Sequence, residues 1–170
     1  VLLFSGYQPN KNFAILPHVA AALKKSGTVD DIVFVTTLPK EHAGTQKFLR
    51  SAAALGVERM IVNIGPVEHI GIATLYDAID AVILPSRLES FSNTIAEAWA
   101  MNKPLLISDL SWARSLCADA ALYVTYCDVG DIADKICALR HSPGLRARLV
   151  DAGRTVLKTY PTARDRFMQY

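Results

Sequence analysis

The chain has 170 residues, 51% of them hydrophobic, and its 18 basic and 16 acidic residues leave a net charge of +2. That length builds one sizeable core and is too short for two domains of ordinary size, so a single domain over residues 1–170 is expected. No stretch approaches the roughly 20 apolar residues of a membrane span, none has the order of a signal peptide, and the basic residues lack the interleaved aromatics of a nucleic-acid surface. The expected compartment is the cytosol.

Along the chain, short β-rich apolar runs alternate with helical stretches. The first run, Val1–Phe4, precedes a helix predicted over 12–25 and closed by Gly27. Ile32–Thr36 leads to a helix over 41–55 that stops at Gly56, and Met60–Ile64 leads to one over 71–78. Ala81–Leu84 is followed by a polar turn and a helix over 93–102, and Leu105–Ile107 by a helix over 109–117 that Ser108-Asp109 would start. Leu122–Thr125 precedes a helix over 129–140 with Pro143 as its stop, and a last helix spans about 144–158. Six strand-helix units imply a parallel sheet, and strands apolar on both faces imply helices on both sides. Right-handed crossovers then favour a doubly wound, Rossmann-like α/β fold with strand order 3-2-1-4-5-6. In that order the first and fourth strands are neighbours, so the turns Gly6–Lys11 and Pro85–Glu89 should meet where the winding reverses, the place where such sheets hold ligands.

Cys117, Cys127 and Cys137 form no Cys-x-x-Cys pair and are expected to be reduced and mostly in the core. The four histidines are scattered without ligand spacing, and no metal is expected. From Arg140 onward there are seven basic residues against Asp151 and Asp165, which leaves 11 basic against 14 acidic before it. This basic tail is read as a solvated helix face, with peripheral contact to an anionic membrane or to a partner domain as the alternatives. Residue 1 is Val and already lies in a strand, so an N-terminal part of a longer protein is expected to be missing.

The residues that carry chemistry collect at the fourth strand's exit. Glu89 follows Pro85-Ser-Arg-Leu in a turn, where a carboxylate gains nothing from packing and faces the place a ligand would occupy. The helix opening at about Ser92, Asn93 and Thr94 presents unpaired backbone N–H groups suited to phosphate. Glu97 has two readings: a ligand-facing carboxylate, or the closing residue of a capping box in Thr94-Ile-Ala-Glu97. Lys11, in Pro9-Asn-Lys-Asn, is a flexible cation able to reach a phosphate bound at the opposite helix start. Gly6 permits a tight turn, but no Gly-x-Gly-x-x-Gly fingerprint follows it, which disfavours a nicotinamide dehydrogenase.

The segment Pro85-Ser-Arg-Leu-Glu-Ser-Phe-Ser-Asn-Thr-Ile-Ala-Glu97, continuing to Pro104, resembles the Glu-x₇-Glu element of the retaining glycosyltransferases of family 4, and Pro9-Asn-Lys-Asn-Phe13 resembles their lysine turn. Ile107-Ser-Asp109 and the closing Leu145 to Arg154 pattern are similar to the same family, whose enzymes pair two Rossmann domains in the GT-B architecture. The resemblance implies that the chain is the C-terminal, donor-binding half, with the acceptor domain N-terminal to it. It implies transfer of a sugar from a nucleoside diphosphate to an acceptor with retained configuration and without metal or cofactor. In that reading Glu89 contacts hydroxyls of the transferred sugar, Glu97 binds the ribose, Lys11 neutralises the leaving diphosphate, and Val67, after Gly65-Pro66, lies where the backbone meets the base. Gly6, Arg87, Ser90, Phe91, Ser92, Asn93 and Thr94 complete the donor set. Three departures from the family pattern stand out: Tyr7 stands where an arginine clamp is frequent, which leaves Arg87 or a group of the N-terminal domain as a substitute, or a lower donor affinity; Ser90 and Ser92 replace glycines; and Leu110-Ser111 replaces Gly-Gly. The implied setting is polysaccharide or lipopolysaccharide assembly. The rival readings are a non-catalytic nucleotide-sugar-binding module and a nucleotide-sugar epimerase.

Overall fold

The computed structural model describes residues 2–3, 8–27, 32–89 and 92–160. Gly6, Tyr7, Ser90 and Phe91 lie outside the described residues. Strands β1 (Leu2–Leu3), β2 (Phe34–Thr36), β3 (Ile61–Asn63), β4 (Val82–Leu84), β5 (Leu105–Ser108) and β6 (Leu122–Val124) form one sheet in the order β3-β2-β1-β4-β5-β6. All five pairings are parallel, with Leu2 opposite both Val35 and Val82 at the centre. The order and direction are those expected from the alternation of strands and helices.

Burial follows from position in the sheet. Every residue of β4 and β5 is fully buried, since both of their faces are covered, whereas Val62 on the edge strand β3 is 42% exposed. The connecting helices are α1 (Leu16–Lys25), α2 (Ala43–Ala54), α3 (His69–Asp77), α4 (Asn93–Ala100) and α5 (Ser111–Cys117), followed by α6 (Val129–His141) and α7 (Pro143–Leu157). Reversal of the winding at β1 and β4, with right-handed crossovers, assigns α1 and α2 to one face and α4 and α5 to the other. The last two helices close both layers, α6 packing on α1 and α7 on α4. Gly153 lets α7 approach α4: a Cβ there would lie 2.3 Å from Trp99 Cδ1. Trp99 is buried with its indole N–H donated to Ala120 O at 3.1 Å. A side chain of this size contributes about 1.5–3 kcal/mol by leaving water.

Several boundaries differ from the sequence reading. The first helix starts at Leu16, not at 12, because Asn12 takes a left-handed φ of 58° and Pro17 sits in the first turn, where its missing N–H costs nothing. Residues 9–11 and 13–15 form two single 3₁₀ turns instead. Asp109 does not start α5; its carboxylate takes a two-pronged ion pair from Arg114, and Leu110 is the residue before the helix. Pro143 opens α7 rather than only ending α6, and Ser142 Oγ caps it by accepting from Leu145 N–H at 3.2 Å. Of the cysteines only Cys117 is buried; Cys127 is exposed and Cys137 half-buried, and all three are free thiols. The basic tail is partly consumed internally, since Arg146 donates to the carbonyls of Leu139 and Arg140 at the end of α6, and Arg154 to Asn102 Oδ1. Among the described residues no helix is long and apolar enough to cross a membrane.

Candidate functional site

Two loops that are 78 residues apart in sequence are sewn together at the carboxyl ends of β1 and β4. Arg87 N–H donates to Asn10 O at 2.8 Å, and Asn10 Nδ2 returns a bond to Leu88 O at 2.9 Å. The left-handed Asn12 donates its side-chain amide to Tyr126 O at 2.8 Å, which ties the same turn to the loop beyond β6. From the other side, Trp112 of α5 donates to Arg87 O at 3.3 Å. Short polar side chains such as asparagine bond neighbouring backbone and tolerate positive φ, which explains their place in this turn. A parallel sheet of this order forces the convergence, because the winding reverses between its two central strands.

At this junction Lys11 Nζ meets Glu89 Oε1 at 2.5 Å, and only 9% and 8% of the two side chains are exposed. The contact joins a cation to a carboxylate with little water present, so each charge is stabilised chiefly by the other. Lys11 thus faces Glu89 rather than open solvent. Beyond the turn, α4 begins after Ser92, which is buried and makes no side-chain cap bond. The first turn of the helix leaves the N–H groups of Asn93 and Thr94 without intrahelical acceptors, and the helix dipole adds partial positive charge there. Asn93 is exposed while Thr94 is buried.

Glu97 does not close a capping box. The helix starts one residue before Thr94, and Glu97 Oε2 instead accepts a hydrogen bond from Tyr76 Oη at 3.0 Å. Tyr76 is fully buried at the end of α3; burial, with the Glu97 carboxylate beside it, pushes its phenol far above the usual tyrosine range. The remaining expected residues are less closely joined. Arg87 is exposed, and among the described residues only its backbone is engaged. Val67 lies in the loop after β3, half-buried, and its methyl group covers Gly71 closely enough that a Cβ there would come within 3.1 Å.

Sequence reasoning missed Tyr76, Asn10, Asn12 and Trp112. An Asn-x-Asn pair flanking Lys11 was a usable turn signal, since both residues favour local backbone bonding. Nothing local marked Tyr76, which lies 21 residues before its partner. A second asparagine, Asn63 at the end of β3, clamps the neighbouring loop: its Oδ1 accepts from Thr36 Oγ1 and Leu38 N–H, and its Nδ2 donates to Leu38 O. Cavities of about 430 and 500 Å³ occur at the opposite end of the sheet, lined by residues such as Ile79, Asp80 and Arg146, and do not include Lys11, Glu89 or Glu97. Among the described residues no group of His, Cys, Asp and Glu side chains is placed to hold a metal ion.

Comparison with known proteins adds family information to this geometry. A family model described as glycosyl transferases group 1 matches residues 1–142. A D-inositol 3-phosphate glycosyltransferase of Frankia alni is 29% identical over 157 residues, covering 88% of this chain and 39% of that protein. The chain therefore spans well under half the length of the curated relatives it matches. Among solved structures, the C-terminal domain of a glycosyl transferase group 1 family protein, LpcC, from Francisella tularensis superposes with a TM-score of 0.77 at 19% identity, over 95% of this chain and 86% of that one. A variant of S. aureus TarM, in complex with Fondaparinux, alpha-GlcNAc-glycerol and UDP, superposes with a TM-score of 0.79 at 18% identity, over 99% of this chain and 34% of that one.

Proposed function

The chain belongs to the glycosyl transferases group 1 family, and from that premise we propose that it is the donor-binding domain of a retaining glycosyltransferase, which moves a sugar from a nucleoside diphosphate to an acceptor. The observation that carries the reading is the buried contact between Lys11 and Glu89 at the switch point of the sheet. One partner is complementary to phosphate and the other to sugar hydroxyls, and in the proposal the amides at the start of α4 join them around the donor. The UDP named with the TarM variant, whose fold this chain shares, supports a nucleotide-bearing donor in the proposal.

Breaking the bond between the sugar and the diphosphate leaves an electron pair on a phosphate oxygen and positive charge spread over the anomeric carbon and ring oxygen. In the proposal Lys11 and the N–H groups of Asn93 and Thr94 stabilise the first charge, and the Glu89 carboxylate holds sugar hydroxyls and stabilises the second. Glu97 accepts from the ribose hydroxyls. Val67 and its loop border the base, and Arg87, with Gly6, Ser90, Phe91 and Ser92, completes the donor contacts. The acceptor is held by an N-terminal domain of the whole protein, so this chain alone binds donor weakly and transfers nothing. No metal or cofactor takes part in the proposed chemistry.

Calorimetric titration of the chain with UDP, GDP and ADP and their common sugar conjugates tests the reading, with Glu97→Ala and Lys11→Ala as variants. One nucleotide should bind saturably, and each substitution should weaken it by about 10- to 100-fold, the loss of one charge-assisted hydrogen bond. Binding that both variants leave unchanged would overturn the assignment of the site. In the whole protein Glu89→Ala should abolish transfer; a rate equal to that of the natural sequence would instead favour a non-catalytic binding module.

A further inference from the structure

We infer that Tyr76 is a positioning residue for Glu97, its buried hydroxyl holding one carboxylate oxygen so that the other is directed at the nucleotide's ribose. The inference rests on the donor-binding reading above and deepens it. Tyr76 is fully buried, and a phenol O–H taken out of water needs an acceptor. It finds one in Glu97 Oε2, 3.0 Å away, on a helix that follows a different strand. Among the described residues Glu97 Oε1 has no hydrogen-bond partner.

The arrangement has two chemical consequences. A glutamate on a helix surface has three rotatable bonds, and a ligand that uses its carboxylate must immobilise them on binding. The bond to Tyr76 carries out much of that ordering in advance. It also sets the polarity of the contact. Burial keeps the proton on the phenol throughout the physiological range, so Tyr76 donates and Glu97 Oε2 accepts. The free oxygen then meets hydroxyl donors, which a ribose presents and a 2′,3′-dideoxyribose lacks. Tyr76 in this view acts through Glu97 and touches no ligand itself.

The test compares UDP, GDP and ADP with their 2′,3′-dideoxy counterparts, titrated against the whole protein with the natural sequence, Tyr76→Phe, Glu97→Ala and the double substitution. Tyr76→Phe removes one oxygen and keeps the buried ring. It should weaken binding of the ribonucleotide by about 3- to 10-fold, the cost of ordering a freed side chain, and leave the dideoxy compound within about twofold. In the Glu97→Ala background the same substitution should change neither ligand. A merely structural role would weaken both ligands alike and would persist without Glu97. If Tyr76→Phe melts below the assay temperature, Glu97→Asp replaces it: a shorter carboxylate held by the phenol is withdrawn from the ribose, so preference over the dideoxy compound should vanish, and its retention would overturn the inference. Saturable binding that depends on Glu97 but is untouched by Tyr76→Phe overturns the inference alone. Absence of nucleotide binding by the natural sequence overturns the donor-binding reading and the inference with it.

Discussion

Removing one member of the Lys11 and Glu89 pair should cost more stability than removing both. The two charges meet at 2.5 Å with about nine-tenths of each side chain covered, so neither is hydrated well enough to stand alone. Lys11→Met keeps the stem and its packing but strands the Glu89 carboxylate; Glu89→Leu strands the ammonium. Breaking a buried pair in this way costs about 3–5 kcal/mol, and Lys11 can recover part of it by turning its head towards water. The double substitution removes both desolvated charges and should cost roughly 1 kcal/mol or less, because an apolar pair of similar volume replaces them. The coupling energy across the cycle should then be at least about 2 kcal/mol, within the range for residues in direct contact. Urea midpoints at pH 7 measure all four proteins, and thermal melts should shift by roughly 2–4 °C per kcal/mol for a domain of this size. The reasoning is refuted if each single substitution costs under about 0.5 kcal/mol and the two add, which is how a solvated surface pair behaves. It is equally refuted if either single variant is more stable than the natural sequence.

Four further outcomes follow from the packing. Gly153→Ala drives a Cβ to 2.3 Å from Trp99 Cδ1, and since the indole is pinned by Ala120 O, the variant should lose about 1–3 kcal/mol in urea unfolding, with Trp99 emission altered in the folded state. Asn63→Leu deletes three bonds that hold the loop after β2, leaves Leu38 N–H and O unsatisfied, and should cost about 2–4 kcal/mol by the same assay. At high pH the domain should weaken: burial pushes Cys117 up to about 12 from 9.0 and Tyr123 up to about 12 from 10.0, so the unfolded chain releases these protons first. Their contribution is fully present below about pH 9 and is lost as pH rises towards 12; urea midpoints should fall over that window, and Cys117→Ala should flatten its lower part. A thiol reagent at pH 8 should modify the exposed Cys127 in the folded protein and Cys117 only after unfolding.

How far the residues alone could lead is clearest around the switch point. Runs such as Ala81–Leu84 and Leu105–Ile107 are apolar at every position, which is a local property, and the hand of the crossovers is a general one. Together they determine a parallel sheet in the order 3-2-1-4-5-6, and with it the meeting of the turns that carry Lys11 and Glu89. Element ends were less legible, because a single residue decides them through its own backbone: Asn12 interrupts the first helix by entering the left-handed region, and Pro143 fits the first turn of α7 as well as it ends α6. The partners of side chains were not legible at all. Thr94-Ile-Ala-Glu97 carries the local pattern of a capping box, yet the carboxylate is taken by Tyr76, which α3 delivers from 21 residues away. In the same way strand order placed Lys11 and Glu89 near one another, but their contact with both side chains largely covered depends on Asn10, Asn12 and Trp112 bonding loops that are distant in sequence. Local sequence acts through backbone preference and periodicity, whereas the charge a carboxylate faces is settled by packing between segments whose separation along the chain has no bearing on their distance in space.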